Sequence, residues 1–277
     1  MKLLSGILLI SLMLPQARGE QASSINQCFN SREPAQCELK AGVQAYANAR
    51  YQEAISHFTA ALQFDPRLAK AHLYLATAYA NQFIPGADTP ENIQAGVQAI
   101  REFQTAAEEG GNDGVIARHG IASLNFQMKK FEEAKEEFRK IIAIDPKDVE
   151  AYYTIAVIDW TLSYQARMKE REKEGVGQEE PLMVGPCQVL AGEHMAEVDE
   201  GMQMLTKALE LRPDYDDAMA YMNLVYRERA DYQCSDAAAR ERDLKMADKW
   251  VDATLDVKKT KQERKIPVEP NPSASPH

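Results

Sequence analysis

The sequence predicts an all-α fold, a solenoid of about five helical hairpins. Three observations predict it. The stretch 61–80, ALQFDPRLAKAHLYLATAYA, halts an apolar, alanine-rich run at Asp65-Pro66 and restarts it at Ala71, Leu75, Ala76 and Tyr79. The same shape returns at 141–160, IIAIDPKDVEAYYTIAVIDW, and at 208–227, ALELRPDYDDAMAYMNLVYR. Ala54, Phe58, Ala61 and Leu62 recur at i, i+4, i+7 and i+8, a helical stripe. A proline cannot continue a helix, so each copy reads as helix, break, helix. A pattern repeated in this way belongs to stacked units that bury their apolar faces against one another.

The chain bounds what such units can do. It has 277 residues, 45% hydrophobic and 27% charged, which suits one or two domains with a real core. A net charge of −10 argues against a nucleic-acid partner, which needs a basic face to neutralise phosphates.

From the N-terminus, MKLLSGILLISLMLPQARGE places Lys2 before an apolar run over 3–14, too short to span a bilayer. Ala17 and Gly19 supply the small residues of a cleavage site, so 1–19 reads as a secretory signal peptide, with an uncleaved anchor as the alternative. No cysteine ends the apolar run, which argues against a lipoprotein, and no later segment is apolar enough to be transmembrane. The protein is therefore expected to be exported, periplasmic or secreted. Residues 20–34 form an N-terminal segment. Cys28, Cys37, Cys187 and Cys234 are an even count in an exported chain, which favours disulfides. Their spacing lacks C-x-x-C and no histidine lies close by, which argues against zinc.

The repeated residues resemble the tetratricopeptide repeat, a motif of about 34 residues with small, aromatic, alanine and proline positions at fixed offsets. Gly42, Tyr51, Ala54, Phe58, Ala61 and Pro66 match it from about Ala35. Ala76, Tyr79, Ala99, Phe103 and Ala106 follow, then Ala122, Phe131, Ala134, Phe138 and Pro146. The fourth unit keeps Ala156, Leu205, Ala208 and Pro213, and the fifth keeps Tyr226, Trp250 and Ala253. Gly201 and Asn125 depart from the pattern. The resemblance covers about 35–256, with insertions at about 82–93 and 163–197, and implies a right-handed superhelix.

Within the second insertion, WTLSYQARMKEREKEG extends a helix that Gly175 and Gly177 end, and PLMVGPCQVLAGEH reads as an irregular return. In stacked hairpins the second helix of one unit packs antiparallel to the first helix of the next. That topology brings Cys187 beside Cys234 and leaves Cys28 to pair with Cys37. From Val257 onward, KKTKQERKIPVEPNPSASPH reads as a disordered tail whose basic cluster is a solvated stretch or a contact for an acidic partner or membrane surface.

No constellation for catalysis, cofactor or metal stands out. His57, His72, His119, His194 and His277 form no H-E-x-x-H, and neither a P-loop nor G-x-S-x-G occurs. His57 and His72 read as packing or surface residues. The resemblance implies instead a groove lined by the first helix of each unit. Its residues here are Tyr46, Asn81, His119, Phe126, Tyr153, Trp160 and Arg227, joined by Leu39, Leu73, Val157 and Leu224. Leu39, Val43 and Gly120 stand where related repeats carry a carboxylate clamp, so that role is unsupported. Two readings of the groove stand: it holds a peptide or helix of a protein partner, or Tyr153 and Trp160 pack under the 163–197 insertion and fill it. The function implied is a non-catalytic binding scaffold. The alternative is an assembly subunit of an envelope complex that docks through the 163–197 insertion. Oligomeric state is not legible.

Overall fold

The computed structural model describes residues 28–177 and 180–265. The expected export signal at 1–19 and the residues from 266 onward lie outside them. Among the described residues there are ten helices and no strands. They are α1 (Pro34–Ala47), α2 (Tyr51–Phe64), α3 (Ala69–Ala80), α4 (Pro90–Glu108), α5 (Gly111–Gln127), α6 (Phe131–Ile144), α7 (Val149–Glu174), α8 (Val184–Leu211), α9 (Asp216–Asp231) and α10 (Ala237–Lys265). Two compact units divide the chain after Gly120, inside α5.

The break at Asp65-Pro66 has a local cause. Asp65 ends α2 in extended backbone, and its Oδ1 accepts from the Arg67 amide (3.1 Å), so the side chain builds the turn that Pro66 enforces. Asp145 does the same for Lys147 (3.0 Å) at the end of α6. The turn inside each hairpin also repeats: Ala49 and Lys129 both adopt positive φ, at 57° and 59°.

In the first unit, α1 and α2 meet where Gly42 faces the fully buried Phe58. A Cβ on Gly42 would stand 2.5 Å from the ring, so glycine alone admits the aromatic. Gly120 and Phe103 repeat the device with the same 2.5 Å distance. His57 Nδ1 lies 2.6 Å from Glu38 Oε2, both buried, which ties α1 to α2. His72 binds Glu102 of α4 (2.6 Å) and the Pro66 carbonyl (2.9 Å). These histidines are packing residues. Within the insertion at 82–93, residues 82–89 form a loop pinned by Asn92 of the first turn of α4: its Oδ1 accepts from the Ile84 amide (2.6 Å), while its Nδ2 donates to the Ile84 and Ala87 carbonyls. Cys28 and Cys37 are bonded and tether the chain ahead of α1.

In the second unit, α7 and α8 run to 26 and 28 residues, because the 163–197 insertion lengthens both. Gly175 caps α7 at φ 68°. The return segment is helical from Val184, not irregular through 194. Pro186 sits in the first turn of α8, where its missing N–H costs nothing. The boundary at 256 is likewise passed. α10 continues to Lys265, since Lys, Gln, Glu and Arg are good helix formers and Lys261 pairs with Asp216 of α9 (2.5 Å).

One buried ionic cluster joins α6, α7 and α8. Lys135 contacts Asp159 and also Glu200 (2.9 Å), which accepts in turn from Arg139 (2.6 Å). Burial pushes the Asp159 carboxyl up to about 7, with Lys135 opposing the shift. A carboxyl raised above its ordinary value, about 3.9, favours folding while protonated, and this contribution is lost as pH rises from about 4 to about 7.

Gly42→Ala and Gly120→Ala are each expected to cost about 1–3 kcal/mol by overpacking, read from urea denaturation. Unchanged midpoints would show that the rings move aside. Lys135→Met removes the counter-charge of a buried carboxylate and is expected to cost about 3–5 kcal/mol at pH 8. The loss should be smaller at pH 5, where the folded state keeps Asp159 protonated. An equal loss at both pH values would contradict the assignment.

Candidate functional site

The helical stripe of α7 continues past the repeat boundary. Trp160, Tyr164, Arg167 and Met168 stand at i, i+4, i+7 and i+8 and share one face. Opposite them, α9 presents Leu224, Arg227, Glu228 and Asp231, and α10 presents Arg240 and Leu244. Together they enclose a pocket of about 270 Å³.

Aromatic rings build one wall. Trp160 stacks on Tyr164 at 4.9 Å and meets Tyr221 edge-on at 5.6 Å; Tyr221 meets Tyr153 at 5.4 Å, and Tyr153 meets Tyr215 at 5.1 Å. Offset and edge-to-face rings at these distances stabilise one another beyond their buried area. Burial raises the phenol pKa of Tyr153 and of Tyr221, so both rings stay neutral at ordinary pH.

The floor is ionic. Arg167 donates to Glu228 through two parallel bonds, Nε to Oε1 at 2.8 Å and Nη2 to Oε2 at 2.9 Å, inside the protein. Arg167 also pairs with Asp231 (3.0 Å), as do Arg171 (3.4 Å) and Arg240 (3.6 Å). Burial lifts the Glu228 carboxyl above its usual range, and Arg167 pulls it back. Arg171 Nη1 donates to the carbonyls of Gly177 (2.6 Å) and Glu180, which closes the loop between α7 and α8 onto this floor. Tyr232 Oη donates to the Ser163 carbonyl (2.8 Å), and the Cys187–Cys234 disulfide fastens the start of α8 to the end of α9.

The expected groove residues divide accordingly. Trp160, Arg227 and Leu224 come together at the pocket. Tyr153 joins them through Tyr221, whereas Phe126 packs edge-on against Phe131 at 5.8 Å and is not among the lining residues. In the first unit, Asn81 Nδ2 donates to Tyr46 Oη (2.6 Å), and His119 is half-buried on α5. Leu39, Leu73 and Val157 are buried in the core. From the insertion, Tyr164 stacks on Trp160, and with Arg167 and Met168 it forms a wall of the pocket. Sequence reasoning missed them because they follow the repeat boundary, although the stripe through Trp160 continues into them. Arg240 and Leu244 were missed because they belong to a second helix.

A tetratricopeptide-repeat family profile matches residues 116–148, spanning most of α5 and all of α6. The chain carries the tetratricopeptide repeat. Its fold is shared with several solved structures. A crystal structure of the MamA protein aligns with TM-score 0.56 and 15% identity, over 85% of this chain and 98% of that one. MamA (residue 41 to the end) from Desulfovibrio magneticus RS-1 aligns with TM-score 0.53 and 13% identity, over 82% and 96%. YrrB, described as a TPR protein with an unusual peptide-binding site, aligns with TM-score 0.52 and 15% identity, over 89% and 98%. At these identities the likeness is one of fold. No curated protein sequence matches the chain.

Among the described residues, no helix of this repeat protein is long and apolar enough to cross a membrane, and no cluster of His, Cys, Asp and Glu could hold a metal ion. Peptides containing Cys187 and Cys234 are expected to run linked in a non-reduced digest. Cys187→Ser/Cys234→Ser should lose about 2–5 kcal/mol of stability. Linkage of Cys28 to Cys234 would contradict the packing of α8 against α9.

Proposed function

We propose that this protein is a non-catalytic scaffold that holds a protein or peptide partner through the aromatic face of its repeat helices, in the cell envelope or outside the cell. The observation that carries the reading is the meeting of Trp160, Leu224 and Arg227, three residues at groove positions of two first helices, around one open pocket. Apolar rings beside arginine are the residue types that dominate binding hot spots. The peptide-binding site ascribed to YrrB supports the same class of function. The N-terminal apolar run and the two disulfides support export, since such bonds persist in oxidising compartments.

A specific feature favours a second reading, docking through the insertion as part of an envelope assembly. Met183, Val184 and Val189 are exposed at the start of α8. Val189 lines a cleft of about 540 Å³ with Ala166, Pro186 and Leu190.

Capture of partners from envelope extract separates the two. Trp160→Ala/Arg227→Ala, shown to be folded by circular dichroism, is expected to lose the partner held by the parent, and Val184→Ser/Val189→Ser to retain it. The reverse pattern would move the binding site to the insertion.

A further inference from the structure

We infer that the pocket between α7, α9 and α10 recognises a carboxylate carried next to a large apolar side chain. This rests on the binding reading above and names the chemistry of the partner at that site. Two independent features lead to it.

The first is charge. The described ion pairs set the guanidiniums of Arg167, Arg171 and Arg240 against only two carboxylates, Glu228 and Asp231. Glu228 is used by Arg167 in a two-bonded fork, so Asp231 is shared three ways. One positive charge is left over in a partly desolvated place, within a chain whose net charge is −10. Arg240 has the longest of these contacts, 3.6 Å, and a side chain 39% exposed, so the excess charge faces the pocket mouth. Arg227 lines the same pocket and is 47% exposed; its Nε donates to Asn223, and its ionic partner Asp248 is 69% exposed, so solvent or a ligand can compete for that pair. A guanidinium has five N–H donors in a plane suited to a carboxylate, and these two have donors left to give.

The second is shape. The remaining surface is apolar: the stacked Trp160 and Tyr164 on one side, Leu224 and Leu244 on the other. About 270 Å³ is smaller than the usual cavity for a cofactor or drug-sized ligand and suits a single bulky side chain. The apolar wall and the arginine lip are within one pocket, so one residue and its neighbouring carboxylate can engage both. Both a peptide C-terminus and an internal Asp or Glu present that chemistry.

Trp160 reports on the pocket directly, since the chain has only two tryptophans and Trp250→Phe leaves it as the sole one. Four probes are titrated into that protein: N-acetyl-Gly-Phe as free acid, its C-terminal amide, N-acetyl-Phe-Glu-amide and N-acetyl-Phe-Gln-amide. The free acid is expected to bind about tenfold or more tighter than its amide, as one charged hydrogen-bonded contact allows. Arg227→Gln and Arg240→Gln should each remove that preference and leave the weak binding of the amide. If only the free acid shows the preference, the source is a C-terminus. If Phe-Glu also exceeds Phe-Gln, an internal acidic residue serves as well. Equal binding of acid and amide, or no saturable change in Trp160 emission with any probe, overturns the inference. Loss of partner capture by Trp160→Ala/Arg227→Ala would still hold in that case. Scaffold binding through this face fails separately, if that variant keeps its partner.

Discussion

The fork between Arg167 and Glu228 is the constraint on which the second unit's aromatic pocket depends. Two charged groups leave water only if their geometry is good and their remaining bonds are met. Here the guanidinium meets Glu228 twice and Asp231 once, and lies near the Tyr164 ring at 5.3 Å. Breaking the fork would strand a charge in the interior, so α7 cannot drift from α9. The pocket follows, because most of its walls are residues within two turns of the fork on those two helices, with Arg240 and Leu244 of α10 added.

The insertion is best understood through the same contact. A lengthened helix pair beyond the repeat would have no partner of its own. Arg171 holds the carbonyls of Gly177 and Glu180, Tyr232 reaches the Ser163 carbonyl, and the Cys187–Cys234 bond closes the far edge. The last two of these ties run to residues just beyond the end of α9. The added length places Tyr164 against Trp160.

Elsewhere the repeat relies on size rather than charge. Gly42 and Gly120 let Phe58 and Phe103 into spaces no larger residue would leave. The cluster around Lys135 and Asp159 stands between these two modes, since it joins three helices with ions that an apolar set could replace.

Much of this was legible in the sequence. Helical stripes, the Asp-Pro breaks and the cysteine pairing follow from local chemistry and from the topology of stacked hairpins, so they could be read without coordinates. Trp160 and Arg227 could be named for the same reason, as fixed positions in a repeated unit. The end of the irregular segment at Val184 and the run of α10 to Lys265 could not, because a proline in a first turn and a polar helix depend on caps and partners distant in the chain. The pocket belongs to the same class. Arg167, Glu228 and Asp231 are ordinary charges of solvated helix faces when read singly, with nothing in their spacing to mark them. Only tertiary packing brings residues 61 positions apart within 2.8 Å, and removing them from water turns three ordinary charges into the floor of a pocket.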